Sequence, residues 1–315
     1  MELRQLGRSH LRIAPLMLGG NVFGWNVDEP SSFKLLDAFL DAGFNAIDTA
    51  DSYSRWAPGH TGGESETVIG NWLKQSGKRD RVVIATKVGN DMGEGKNVSK
   101  DYILRATEGC LKRLQIDCID LMQTHFDNEA TPVEETLEAY AALIRQGKVR
   151  VIGASNLTPA RLTASLDASK RLGIPRYESL QPLYNLYDRM NFENDYLPLC
   201  AREGIGVISY YSLAAGFLTG KYRTAADTAK SAARGGRMKQ YLNERGLRIL
   251  AALDAVAARQ GATLAQVSLA WLIARPGVTA PIASATTVQQ LDELLKAPSI
   301  KLTPEDTAAL DAASA

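Results

Sequence analysis

Short runs rich in β-branched and apolar residues recur eight times along this chain, alternating with longer stretches of helical period. That alternation predicts parallel β/α units, because parallel neighbours need a helix to carry the chain back across the sheet. The runs are 16–19, 45–48, 82–86, 118–123, 149–154, 177–181, 206–210 and 280–283. Helical period marks 31–42, 66–75, 99–114, 132–146, 160–171 and 243–260. Several helix starts are signalled chemically. In TPVEETLEAY, Thr131 is placed to accept from the backbone N–H of Glu134 while that carboxylate reaches back, with Pro132 in the first turn. Thr158-Pro159 and Thr303-Pro304-Glu305-Asp306 repeat the signal.

Eight such units in 315 residues, with no Pro/Ser-rich linker, predict an α/β chain folded as one (β/α)8 TIM barrel over 1–315, with extra C-terminal helices. A doubly wound open sheet is the alternative. Residues 3–13 alternate around Gly7-Arg8-Ser9 and predict an N-terminal β-hairpin capping the barrel floor.

Charge narrows the partners. Lys and Arg number 36 against 35 Asp and Glu, for a net charge of +1, so no basic excess exists to hold nucleic acid or an anionic membrane surface. No segment approaches the roughly 18 uninterrupted apolar residues of a membrane span, and the start carries no leader pattern, so a cytoplasmic location is expected. Cys110, Cys118 and Cys200 form no CxxC pair and lie in or beside apolar runs, as small core residues of a reducing compartment would.

In a barrel, the loops that follow strands form the carboxyl face, where sites are built. Two insertions lie there, 52–64 and 212–241, and their Trp56, Phe217 and Tyr222 are candidates to wall a pocket. On the same rim, Asp48 ends the second run, Tyr53 follows five residues on, Lys87 follows VVIAT and His125 follows LMQT. Each has a plain structural reading: a turn cap, a packed ring, a solvated amine, a satisfied core imidazole. Together they suit proton delivery. Stabilising a phenolate enough to bring a phenol from near 10 towards neutrality takes about 4 kcal/mol. An ammonium about 4 Å away supplies that at an effective dielectric near 20. Lys87 would then acidify Tyr53, Asp48 would hold Lys87 charged, and His125 would donate to a substrate oxygen or relay the proton. Such a set suits an oxygen gaining negative charge, as a carbonyl does when hydride reaches its carbon. None of these groups stores two electrons, so a reduction needs a cofactor. Neither GxGxxG opening a helix nor GxxxxGK[ST] occurs.

The segments NAIDTADSY (45–53), VVIATKVG (82–89), DLMQTHFDN (120–128), GKVRVIGASN (147–156) and SYYSLAAGFLTGKYR (209–223) resemble the aldo-keto reductase superfamily. GGESETVIGNWL and PIASATTVQQLDELL extend the resemblance nearly end to end. It implies a barrel that binds a nicotinamide dinucleotide across its carboxyl face, with a catalytic tetrad of Asp48, Tyr53, Lys87 and His125. It also implies that Ser155, Asn156 and Gln181 hold the carboxamide and that the ring stacks on Tyr210, with Tyr211 packed elsewhere. Gly20, Asn21 and Asp48 join that site. Pyrophosphate falls to the stretch 212–221, including Ser212, Leu213, Gly216 and Lys221, and the adenosine phosphate to Arg234, Thr286 and Gln290. Thr286 stands where many relatives carry Arg, and Leu294 where many carry Asn, so preference for NADP(H) over NAD(H) rests on Arg234 and Lys221. Trp25, Trp56 and Phe126 would line a substrate pocket for aldehydes or ketones with apolar or aryl groups, or for sugars.

Two other classes compete with this carbonyl reductase. One is a redox-sensing, channel-accessory-like binding subunit with little turnover. The other is a metal-dependent barrel enzyme using Asp48, Asp51 and His125. His10, His60 and His125 are the chain's three histidines and no HxH pair exists, so no metal site is expected. Oligomeric state is not written in these motifs.

Overall fold

The computed structural model describes residues 2–230 and 235–315. Eight parallel strands close into a barrel: β3 (Met17–Gly19), β4 (Ala46–Asp48), β5 (Val83–Val88), β6 (Ile119–Thr124), β7 (Val149–Ser155), β8 (Tyr177–Gln181), β9 (Gly206–Ser209) and β10 (Val278–Ala283), with β10 pairing back to β3. The open-sheet alternative is thereby set aside. Ahead of the barrel, β1 (Arg4–Gln5) and β2 (Arg12–Ile13) pair antiparallel as the expected hairpin.

Helices α1 (Glu29–Asp41), α2 (Glu64–Ser76), α3 (Lys100–Leu114), α4 (Val133–Arg145), α5 (Pro159–Leu172) and α6 (Leu197–Glu203) each connect consecutive barrel strands. Between β9 and β10 lie a short α7 (Gly235–Met238), α8 (Glu244–Gln260) and α9 (Leu264–Ile273); α10 (Val288–Leu294) and α11 (Pro304–Ser314) follow β10. Leu36, Phe39, Ile47, Ile69, Trp72 and Ile84, all essentially inaccessible, belong to the shell between sheet and helices. Each such side chain contributes about 1.5–3 kcal/mol by leaving water.

A second, smaller apolar cluster fills the barrel interior. Ala46, Ala85, Leu121, Val151, Ile208 and Ala280 meet Leu6, Leu11 and Ile13 of the hairpin, so the hairpin plugs the floor. Its turn depends on Gly7, whose φ is +59° and where a Cβ would stand 2.1 Å from the Glu178 carbonyl oxygen. The strand period of two then places the next inward residues one layer higher. Asp48 lies two residues beyond Ala46, Lys87 beyond Ala85, and Gln123 beyond Leu121. An apolar floor is thus topped by a polar layer at the carboxyl end.

The helix starts divide. Thr158 accepts from the Arg161 N–H, and Thr303 and Asp306 form a reciprocal capping box. The expected box at Thr131 is absent: Pro132 itself is the N-cap of α4, with extended backbone and no side-chain cap. Thr131 is left one residue outside the helix, where its carbonyl accepts from Arg161. The pocket-wall role expected for Phe217 and Tyr222 also fails. Both are fully buried, and Phe217 stacks on Tyr241 at 5.4 Å, because the loop after β9 folds inward as an apolar wedge.

Candidate active site

Asp48 and Lys87 are buried at 1% and 0% exposure, and the Lys87 Nζ stands 2.7 Å from Asp48 Oδ2. The same nitrogen donates to the Thr49 carbonyl and to the Tyr53 hydroxyl, each at 2.8 Å. All three N–H bonds of an ammonium are therefore engaged, which suits the charged form. Asp48 is equally occupied. Its Oδ2 also accepts from Tyr53 at 3.2 Å, and its Oδ1 accepts from Gln181 at 2.9 Å and Gln123 at 3.3 Å.

Tyr53 reaches this pair because of the turn that follows β4. Thr49 N–H donates to the Ala85 carbonyl and Asp51 N–H to the Lys87 carbonyl, lashing the turn to β5. Ser54 then takes a φ of +74°, and its hydroxyl donates to the Phe23 carbonyl. The Tyr53 ring is half-buried and faces His125 edge-on, with centroids 6.2 Å apart.

The electrostatics revise one expectation. Burial and then the Asp48 carboxylate push the Tyr53 phenol well above its ordinary value, and burial draws the Lys87 ammonium down. Resting Tyr53 therefore keeps its proton and is not an already acidified phenol, and the ammonium beside it could stabilise a phenolate were that proton given up. His125 is pushed well below the usual imidazole value, first by burial and then by Lys87, so it is neutral near pH 7.

Around this centre the rings form a continuous wall. Trp25 and Trp56 meet edge to face at 5.6 Å, Trp56 lies 5.9 Å from Tyr53, and His125 stacks on Phe126 at 4.9 Å. All three residues expected to line a substrate pocket are thus brought to the tyrosine's rim. Trp56 is 52% exposed there.

A second row begins beside Asp48. Ser155 donates to the Gln181 carbonyl, Asn156 Nδ2 donates to Ser155 Oγ and the His125 carbonyl, and Tyr210 donates to Asn156 Oδ1 at 3.1 Å. Tyr210 is half-buried in this row, whereas Tyr211 turns away with φ +51° and lies under the Arg237 guanidinium. Amide donors, amide acceptors and a flat ring are what a nicotinamide carboxamide and its ring require, so the residues fit that group. Gly20 donates to the Asp48 carbonyl, and Asn21 accepts from Ser284. Beyond Ser212, whose hydroxyl turns back to the Ser209 carbonyl, and Leu213, three consecutive residues, Ala214, Ala215 and Gly216, have positive φ. Backbone held in this sparsely used region concentrates at ligand sites. Lys221 lies over the Tyr222 ring, and Thr286 donates to Gln290 Oε1 through both its N–H and its hydroxyl. Arg234 lies outside the described residues.

The sequence reading missed Gln123, although its place two residues before His125 and two after Leu121 marks it as inward-facing. It also missed Ser52, which meets His125 from the turn after β4, and Asn90, which donates to Ser52 from the turn after β5. Among the described residues, no group of three His, Cys, Asp or Glu side chains is disposed to hold a metal ion, and no helix is long and apolar enough to cross a membrane.

A closed barrel whose carboxyl mouth joins a lysine-backed tyrosine to a row of amides and a flat ring defines an NAD(P)H-dependent oxidoreductase. The chain belongs to the Aldo/keto reductase family, whose profile matches residues 15–315. It is 37% identical to an uncharacterized oxidoreductase, YrpG, of Bacillus subtilis (strain 168), over 97% of this chain and 93% of that one. It is 33% identical to a probable voltage-gated potassium channel subunit beta of Oryza sativa subsp. japonica, over 97% and 94%. Similarity to an L-glyceraldehyde 3-phosphate reductase of Escherichia coli (strain K12) is 31% over 94% and 87%.

Proposed function

We propose that this protein is a cytoplasmic NADP(H)-dependent carbonyl reductase that works as one barrel unit and converts aldehydes or ketones to alcohols. The observation that carries the reading is the Tyr53 hydroxyl, 2.8 Å from the Lys87 amine and 3.2 Å from Asp48, on a rim walled by aromatic rings.

Bound reduced nicotinamide supplies the hydride that goes to the carbonyl carbon. As negative charge collects on the carbonyl oxygen, the Tyr53 O–H bond breaks and gives that oxygen its proton, so that C=O becomes a C–O single bond with new C–H and O–H bonds. Lys87 stabilises the phenolate left behind, and Asp48, itself held by Gln123 and Gln181, keeps the ammonium charged and in place. His125, neutral, donates a hydrogen bond to the same oxygen. A proton from solvent then restores Tyr53.

Ser155, Asn156 and Gln181 would orient the carboxamide and Tyr210 the ring, with Gly20, Asn21 and the loop from Ser212 to Lys221 along the dinucleotide. Preference for the 2′-phosphate is assigned to Arg234 with Lys221, assisted by Thr286 and Gln290. Trp25, Trp56 and Phe126 favour apolar or aryl carbonyl compounds. Cys110 and Cys200, free and buried, accord with a reducing compartment, and burial pushes the Cys200 thiol up to about 12.

The potassium channel subunits among the relatives favour a second reading, a redox-sensing binding subunit. Loss of nicotinamide absorbance with a panel of aldehydes and ketones separates the two. A reductase oxidises NADPH with carbonyl present; a sensor binds NADPH and consumes none.

A further inference from the structure

Four groups outside the tyrosine–lysine–aspartate cluster form a hydrogen-bonded chain that ends on the His125 ring. The Asp91 backbone N–H donates to Asn90 Oδ1 at 2.8 Å. That bond settles which way the Asn90 amide faces, since a flipped amide would set N–H against N–H. Asn90 Nδ2 then donates to Ser52 Oγ at 3.0 Å. Ser52 Oγ in turn lies 3.4 Å from His125 Nδ1, a long contact whose direction depends on the imidazole tautomer.

Ser52 is 3% exposed, so its hydroxyl proton has little access to water. Were His125 protonated on Nδ1, Ser52 Oγ would receive two N–H groups, and its own proton would be left to find another acceptor at that buried position. With Nδ1 bare, every group in the chain is satisfied: Asn90 donates to Ser52, and Ser52 donates to His125. The ring proton is then on Nε2, on the far edge of the imidazole from Ser52. Asn156 supports the same residue from behind, because its Nδ2 donates to the His125 carbonyl at 2.9 Å.

We infer that Asn90 and Ser52 are positioning residues that hold neutral His125 as its Nε2–H tautomer, so that it presents a hydrogen-bond donor to the reacting oxygen. Neither residue touches that oxygen. The inference rests on the carbonyl reductase reading for its catalytic meaning, while the tautomer itself is a property of the chain alone. The low proton affinity imposed on His125 by burial and by Lys87 agrees with a neutral ring.

The test uses the full chain labelled with nitrogen-15 histidine. Only three imidazoles are present, so His10→Gln and His60→Gln assign the His125 signals by elimination. Nitrogen shifts and couplings near neutrality are expected to report a bare Nδ1 and a protonated Nε2. Asn90→Asp replaces the donor to Ser52 with an acceptor of the same shape. It should draw the Ser52 proton to the carboxylate and force the His125 proton onto Nδ1. The kcat for carbonyl reduction should then fall about 100-fold with NADPH affinity within a few-fold, the scale expected of a general acid or orienting donor with its proton on the wrong nitrogen. Ser52→Ala should give a mixture of tautomers and an intermediate loss, and Ser52→Thr should restore a single Nε2–H form. A wild-type ring protonated on Nδ1 would overturn the inference, as would an Asn90→Asp or Ser52→Ala ring with an unchanged tautomer. If the tautomers respond as stated while no carbonyl compound is turned over, the positional inference stands and the reductase reading fails.

Discussion

The hydroxyl of Tyr53 accepts from the Lys87 ammonium at 2.8 Å and donates to Asp48 Oδ2 at 3.2 Å, while Lys87 and Asp48 bind each other at 2.7 Å. Three groups from β4, β5 and the turn between them thus form a closed triangle. Because burial and then the Asp48 carboxylate hold the phenol above its ordinary value, the resting proton stays on Tyr53.

Removing that proton donor should abolish chemistry and leave binding. Tyr53→Phe is expected to keep NADPH affinity within a few-fold and to lower kcat by at least about 100-fold. Lys87→Met should cost a similar factor and displace the pH profile. Fluorescence titration with NADPH beside steady-state rates checks both; near-normal turnover in Tyr53→Phe would remove Tyr53 from the mechanism.

The same triangle is a stability element. Asp48→Asn leaves the fully buried Lys87 without its counter-charge, and breaking one side of a buried pair costs about 3–5 kcal/mol. A urea unfolding midpoint lowered with unchanged slope is the expected result. No change in midpoint would show that Thr49 and Tyr53 alone satisfy the amine.

Asp51 supplies a pH dependence. Its side chain is 3% exposed, Oδ1 has no hydrogen-bond partner, and burial followed by the Glu66 carboxylate raises it from 3.8 to about 7. A raised acid binds its proton more tightly in the folded state than in the unfolded chain. Its contribution to stability is therefore present at low pH and is lost as pH rises from about 4 through about 7, by up to about 4 kcal/mol. Asp51→Asn, which mimics the protonated acid, should flatten this dependence and raise stability above pH 7 relative to wild type. Denaturation midpoints of both proteins from pH 5 to 8 measure it; parallel curves would place the ionised carboxylate in a better-solvated setting.

Arg234→Ala should narrow the preference for NADPH over NADH, as loss of a two-pronged phosphate partner does. The ratio of kcat/KM for the two cofactors reads it directly. An unchanged ratio would assign the phosphate to Lys221, Thr286 and Gln290.

Much of this molecule is legible in its sequence, because strand and helix periods are local. The eight apolar runs lie within a few residues of the observed barrel strands, and Asp48, Lys87 and His125 stand at or just beyond the strand ends where the active face had to form. Local chemistry misled at Thr131, where the cap falls one residue later, on the proline, and the helix begins at Val133. It was silent on Phe217 and Tyr222, since an aromatic ring in a loop reads alike whether it walls a pocket or fills a core.

The one-dimensional pattern determined that the chain alternates strand and helix and which side chains share a strand face, for these follow from neighbours two to four residues apart. Tertiary structure alone decided that Tyr53 remains protonated against Asp48, that Gln123 and Gln181 share one carboxylate oxygen, and that Ser52 stands between Asn90 and His125. Those outcomes depend on burial and, for the amide contacts, on which donor faces which acceptor across 38 to 133 residues of separation. Such relations exist only once the barrel has closed and excluded water.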